Sequence, residues 1–280
     1  MKEIRTEVII EAVRKITIEA SYDLGQDVID AVKKAKAVDE SPVARGILDQ
    51  VLANAEIAKN EQAPMCQDTG YAVLFVDLGQ EVHVVGGDFN EALNEGIRQG
   101  YKDGFLRKSV LSDPIERKNT GDNTPAIVHV NIVPGDKMHI VMAPKGGGSE
   151  NMSEVKMMKP SDGIEGVKDF VIDRVRRSGG NPCPPIIVGV GIGGTFEKVA
   201  FLAKKSLLRG VGDRHPNKFY ADLELELLEK VNKLGIGPQG LGGTTTALDV
   251  HVEVHPCHIA SLPAAVNTQC HAARHKEVTL

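Results

Sequence analysis

Tryptophan is absent from this 280-residue chain, and aromatic residues make up only 4% of it. Its core must therefore be built mainly from Val, Ile, Leu and Ala. Long hydrophobic runs are missing too. The apolar stretches fall far short of the roughly 20 residues that a bilayer requires, so no membrane span is expected. There is no basic block or stripe: 33 Lys and Arg are interspersed with 38 Asp and Glu, a net charge of −5, and nothing suggests nucleic acid. The opening MKEIRTEVII is charged and amphipathic and has no signal-peptide apolar region, so the cytoplasm is the expected compartment. Cysteine is scarce, with four residues at positions 66, 183, 257 and 270. In a reducing compartment they do not suggest a disulfide framework. Their wide spacing excludes a local CxxC zinc site, though not a site assembled from distant parts of one fold.

Residues 3 to 60 read as helices. Thr6 to Ala20 carries Val8, Ile9, Val13, Ile16 and Ile18 on a broad apolar face, and Asp23 to Lys36 continues with Leu24, Val28, Ile29 and Val32. Ser41-Pro42 is a helix start signal, a cap followed by Pro at the first helical position. Tyr71 to Leu78 and Glu81 to Val85 read as strands, and Phe89 to Tyr101 as a helix. Ala126 to Val133 and Lys137 to Ala143 alternate around Pro134-Gly135-Asp136, which predicts a hairpin. Gly163 to Arg177 and Asn217 to Leu234 are amphipathic helices, and Ile186 to Val190 and Leu248 to Val254 are strands. The expected fold class is α+β, with N-terminal helices packed on mixed and antiparallel strands in one compact domain spanning residues 1–280. The strand–helix alternation after Cys183 leaves α/β open.

Chemistry concentrates in the turns. Cys66-Gln67-Asp68 places a potential metal ligand, an amide and a carboxylate in consecutive positions, between Pro64 and Gly70. Its plain alternative is a surface turn with a buried thiol. Lys145 through Asn151 encloses three glycines, a flexible linker or, with its dense polar residues, a backbone cradle for an anion. Cys183 stands between prolines in a rigid turn. Gly189-Val190-Gly191-Ile192-Gly193-Gly194 matches a dinucleotide fingerprint by spacing, and the alternative is close packing of a helix on a strand. A second glycine-rich loop runs from Gly237 to Thr246. Three loop thiolates could hold a [4Fe–4S] cluster with one iron open to a ligand. Zinc with three Cys and His258 is the rival. By spacing, either Cys257 or Cys270 could be the third thiolate.

With Met65 through Gly70, Leu106 through Ser109, Lys145 through Asn151, Cys183-Pro184-Pro185, Gly240 through Thr246, His258, and Cys270 through His275 in this order, the chain resembles the alpha subunits of class I iron–sulfur fumarate hydratases and the similar L-tartrate dehydratases. The resemblance covers essentially the whole chain. It implies a [4Fe–4S] cluster on Cys66, Cys183 and Cys270, leaving Cys257 aside. It places Gln67, Asp68, Arg107, the glycine run at Gly147, and His258 around a small dicarboxylate substrate. The implied reaction is reversible hydration of fumarate to L-malate, with L-tartrate dehydration as the alternative. In these roles Arg107 suits a carboxylate, Asp68 is the candidate general acid, and His258 positions substrate or water. The glycine fingerprint then becomes a packing or cluster-loop feature. Single-chain relatives carry a further C-terminal domain, so a separate beta subunit and an alpha2beta2 assembly are expected.

Overall fold

The computed structural model describes residues 2–280. In chain order the elements of the first half are β1 (Lys2–Arg5), α1 (Thr6–Tyr22), α2 (Gln26–Val38), α3 (Pro42–Glu61), β2 (Tyr71–Gly79), β3 (Val82–Val85), α4 (Phe89–Asp103), β4 (Ile127–Val133) and β5 (Met138–Lys145). The second half continues with the single turn α5 (Gly147–Glu150), β6 (Glu154–Met158), α6 (Gly163–Ser178), β7 (Ile186–Gly193), α7 (Phe196–Ser206), α8 (Lys218–Asn232), β8 (Ala247–His255), β9 (Leu262–Gln269) and β10 (Lys276–Thr279). The fold is α+β. The chain divides into two compact units: residues 2–24, 54–147 and 274–280 form the first, and residues 25–53 and 148–273 the second. Among the described residues no helix is long and apolar enough to cross a membrane.

The first unit has a four-stranded sheet in the order β10-β5-β2-β4 and a small parallel pair, β1-β3. Strand β2 buries every side chain from Ala72 to Val76, on both faces, and accordingly takes a central place. Helix α1 packs its stripe of Ile9, Val13, Ile16 and Ala20 in one core with Leu93, Ile97 and Tyr101 of α4 and with Leu74, Ile140 and Met142 of the sheet. Two sequence expectations are corrected here. Residues 2–5 form a strand, paired with β3, and not the start of a helix. Strands β4 and β5 do not form a hairpin, because β2 lies between them, parallel to β4 and antiparallel to β5. The Pro134-Gly135 turn wraps around the end of β2: the N–H groups of Gly79, Gln80 and Glu81 donate to the carbonyls of Lys137, Val133 and Gly135. Alternation identifies each strand, but the neighbour is chosen by which strand is apolar enough for the centre.

The second unit has a four-stranded sheet in the order β6-β9-β7-β8. Its core joins Val167, Phe170 and Val171 of α6 and Leu223, Leu227 and Val231 of α8 to Val188 and Val190 of β7 and Val250 and Val252 of β8. The helix start at Ser41 is as expected, with the Ala44 N–H donating to Ser41 Oγ at 3.2 Å. A methyl group on Gly189 would come within 2.1 Å of the Ala203 carbonyl, and one on Gly191 within 2.2 Å of the Val199 carbonyl. The glycines thus let β7 and α7 pack backbone to backbone, which accounts for the fingerprint-like spacing.

Candidate active site

The turn from Cys66 to Gly70 joins α3 to the buried strand β2. Its entry is tied down on both sides of Met65, whose N–H donates to the Ser21 carbonyl at 3.0 Å and whose carbonyl accepts from Asn54 Nδ2 at 2.8 Å. Cys66 is half-buried, and its Sγ accepts the Asp68 N–H at 3.4 Å and lies 3.5 Å from Gln67 Oε1. Both oxygens of Asp68 act as acceptors: Oδ1 takes the Gly70 N–H at 2.9 Å and Oδ2 the Gly147 N–H at 2.8 Å. In this structure the anion held by the Gly147 end of the glycine run is the protein's own carboxylate. Gly70 has φ +76°, and a Cβ there would meet the Lys145 backbone at 2.6 to 2.8 Å, so no other residue fits without a shift.

Beneath this turn, three consecutive carbonyls accept from buried side chains. Arg274 Nη2 donates to the Asp68 carbonyl at 2.6 Å. The Tyr101 hydroxyl meets the Thr69 and Gly70 carbonyls at 2.8 and 2.9 Å. Asn123 Nδ2 donates to Gly70 O at 3.2 Å, while its Oδ1 accepts the N–H groups of Ser109 and Val110 at 2.7 and 3.2 Å. Burial pushes the Tyr101 phenol upward, so it stays a neutral donor. Thr69 Oγ1 donates to the Arg107 carbonyl at 2.8 Å, joining the turn to the Arg107–Ser109 segment. A cavity of about 180 Å³ opens here, lined by Asp68, Gly70, Tyr71, Arg107, Ser109, Val110 and Gly147. The first unit therefore brings together Cys66, Gln67, Asp68, Arg107 and Gly147.

The other expected residues lie in the second unit. Cys183 is exposed and adopts φ +55°, an uncommon conformation outside glycine. Its carbonyl accepts the His271 N–H at 3.3 Å and lies 3.1 Å from His271 Nδ1, which places the Cys183 turn against the residue after half-buried Cys270. Gln239 braces this turn by donating from its N–H and Nε2 to Pro184 O, at 2.8 and 3.1 Å. The loop from Gly240 to Thr246 is held by Asp39, which accepts from Thr244 and Thr245 N–H at 3.0 and 3.1 Å. Burial alone would raise the Asp39 carboxyl, but these amides and that of Ser41 outweigh it and hold it low. His258 is exposed, with Nδ1 accepting from Ala260 N–H at 3.1 Å, and Cys257 is exposed beside it. Among the described residues no three His, Cys, Asp or Glu side chains form a group that could hold a metal ion.

Sequence reasoning passed over Tyr101, Asn123 and Arg274. Arg274 falls inside the Cys270–His275 run, and Asn123 inside a polar, turn-rich stretch, so a signal was present in the sequence. Nothing in either stretch states what the side chain holds.

A family model described as Fumarate hydratase (Fumerase) matches residues 10–279. The putative L(+)-tartrate dehydratase subunit alpha of Methanocaldococcus jannaschii is 43% identical over 280 residues, covering 96% of this chain and 95% of that protein. The L(+)-tartrate dehydratase subunits alpha of Escherichia coli K12 and of Shigella boydii are each 35% identical over 267 residues, covering 94% of this chain and 88% of theirs. With near-complete coverage on both sides, the chain belongs to the fumarate hydratase (Fumerase) family.

Proposed function

We propose that residues 1–280 act as the alpha subunit of a [4Fe–4S] hydro-lyase for a four-carbon dicarboxylate, completed by a separate beta subunit in an alpha2beta2 assembly. The observation that carries this reading is the cavity lined by Asp68, Arg107 and Gly147, next in sequence to Cys66 and Gln67. Cys66, Cys183 and Cys270 would hold the cluster. Three thiols are a donor set that such a cluster takes. The reading is supported by all three cysteines being at least partly exposed, by Cys66 Sγ accepting an N–H, and by the bond from the Cys183 turn to the neighbour of Cys270. Hydrogen bonds to sulfur are a usual means of tuning such centres. When bound, the cluster supplies a Lewis-acid iron that eases loss of hydroxide from carbon.

The chain's own residues bind and move protons. Arg107 takes a substrate carboxylate with its planar fork. Gln67 orients the substrate beside Asp68. Asp68, clamped by the Gly70 and Gly147 amides, delivers the proton to the departing hydroxyl and takes it back in hydration. His258 positions substrate or water. The base that removes the carbon-bound proton comes from the beta subunit.

The preferred reaction is fumarate hydration to L-malate, in line with the family description. The second reading, conversion of L-tartrate to oxaloacetate, is favoured by the names of the 43% and 35% identical relatives. The test is iron and acid-labile sulfide content of the anaerobic complex with its beta partner. About four of each per alpha chain are expected, lost in Cys66→Ser, Cys183→Ser and Cys270→Ser and kept in Cys257→Ser. Stoichiometric zinc instead would sink the reading. On the same sample, the ratio of kcat/KM for L-malate and L-tartrate decides between the two substrates.

A further inference from the structure

Arg274 is only 5% exposed, yet no carboxylate pairs with it among the described residues. Nη2 donates to the Asp68 carbonyl at 2.6 Å. Nε and Nη1 are buried and have no hydrogen-bond partner among the described residues. A guanidinium stays charged at every accessible pH, and burying it with donors unmet opposes folding, whereas an apolar side chain of similar volume would not. A residue needed only to fill space would not be arginine here. Its one bond goes to the backbone of the candidate acid itself, and the next two carbonyls are taken by Tyr101 and Asn123. Drawing these carbonyls inward sets the three peptide planes that follow Asp68, beginning with its own carbonyl. The Thr69–Gly70 peptide held in this way points its N–H at Asp68 Oδ1, and the Gly147 N–H meets Oδ2, so the carboxylate sits between two amides.

We propose that Arg274 is a positioning residue for Asp68: its Nη2 fixes the Asp68 carbonyl from beneath, and its unneutralised charge lies behind the turn that meets the dianionic substrate. This rests on the function proposed above.

The test uses two variants in the anaerobic alpha–beta complex. Arg274→Met keeps volume while removing charge and fork, and Arg274→Lys keeps charge alone. The expected result for Arg274→Met is melting at or above the wild-type temperature, with kcat reduced about 10- to 100-fold and KM changed far less, as misplacement of a catalytic group produces. Arg274→Lys should recover part of kcat. Amide exchange by mass spectrometry should accelerate in the peptide covering residues 66–70 and not in α1 or β2. Wild-type kcat in Arg274→Met, or exchange rising evenly across the first unit, would overturn the proposal. If the Met variant does not fold, the Lys variant is read by the same two measurements, and wild-type kcat with unchanged exchange at 66–70 overturns it. Should the wild-type complex turn over neither fumarate nor L-tartrate, the proposed function fails, and the local exchange pattern alone decides the positioning role.

Discussion

In the second unit, Asp249 and Glu224 are fully buried and fully met. Asp249 accepts from Arg214 Nη2 at 2.7 Å on both oxygens, from Gly212 N–H at 2.7 Å, and lies 3.2 Å from His251 Nε2. Glu224 accepts from Arg209 Nη1 at 2.6 Å and from the N–H groups of His215 and Val252 at 3.0 and 2.8 Å. Burial alone would raise the Asp249 carboxyl, but His251, Arg214 and the Gly212 amide outweigh it and hold it below the usual carboxylate range. In the first unit, Arg274 is buried nearly as deeply and leaves two donors unmet. A closed ionic network holds strands and loops in place, and its charges are used up in doing so. An open one leaves its charge unneutralised, as at Arg274. The cavity beside Asp249 and Arg214, at about 550 Å³, is larger than the one beside Asp68, yet the charged pair at its wall is already satisfied.

Four experiments sharpen or break this contrast. The largest effect belongs to Asp68. Asp68→Asn should lower kcat about 100- to 10,000-fold, the usual worth of a general acid or base, with a stability loss of only about 1–3 kcal/mol, because one of the two amides loses its acceptor. A rate near wild type would mean the turn is structural after all. Next is Asp249→Asn, which leaves Arg214 and His251 facing a neutral amide in a buried site. Urea denaturation should show a loss of about 3–5 kcal/mol, while KM of the surviving enzyme stays put. A shifted KM would show that the closed network also serves the site.

Tyr101→Phe removes one hydroxyl from two carbonyls under the Asp68 turn. The expected loss is about 1–2 kcal/mol in the same denaturation measurement, together with a fall in kcat. A loss of stability without any change in kcat would place Tyr101 with the structural residues. The smallest effect concerns Asp122, beside the Asn123 that braces the turn. Burial opposes its ionisation, but the Thr124 amide and hydroxyl and Arg98 outweigh this and hold the carboxyl at about 2, against an ordinary 3.8. Because the folded value is depressed, its stabilisation is complete above pH 3.8 and drains away as pH falls toward 2. Asp122→Asn should therefore flatten the acid limb of a plot of melting temperature against pH in that window. An unaltered limb would assign acid sensitivity to other carboxylates.

Much of this was legible in the sequence, and the gaps have physical causes. The apolar spacing at Ile9, Val13 and Ile16 and the Ser41-Pro42 and Asn217 signals located helices within a few residues of α1, α3 and α8. Of the residues in the Cys66–Gly70 and Arg107 motifs, Asp68, Gly70 and Arg107 line one cavity in the first unit. The β4–β5 hairpin was misread because two alternating strands around Pro134-Gly135 look alike whether they pair with each other or flank a third. Strands β6 and β9 were passed over: β6 is only five residues long, EVKMM, too short for its alternation to stand out, and β9 is buried on both faces and does not alternate.

What the sequence by itself determined is what depends on near neighbours: helical periodicity, caps, turns, and the order of motifs that marks the family. What only the tertiary structure decided is what depends on residues far apart. Asp68 meets Gly147 across 79 positions and Arg274 across 206, and Asp39 holds Thr244 across 205. Whether a glycine N–H serves an outside anion or the protein's own carboxylate, and whether an arginine's donors are met or left open, is set by burial and by partners from other elements. A local pattern carries no record of those partners, because hydrogen bonding and burial are properties of the packed chain.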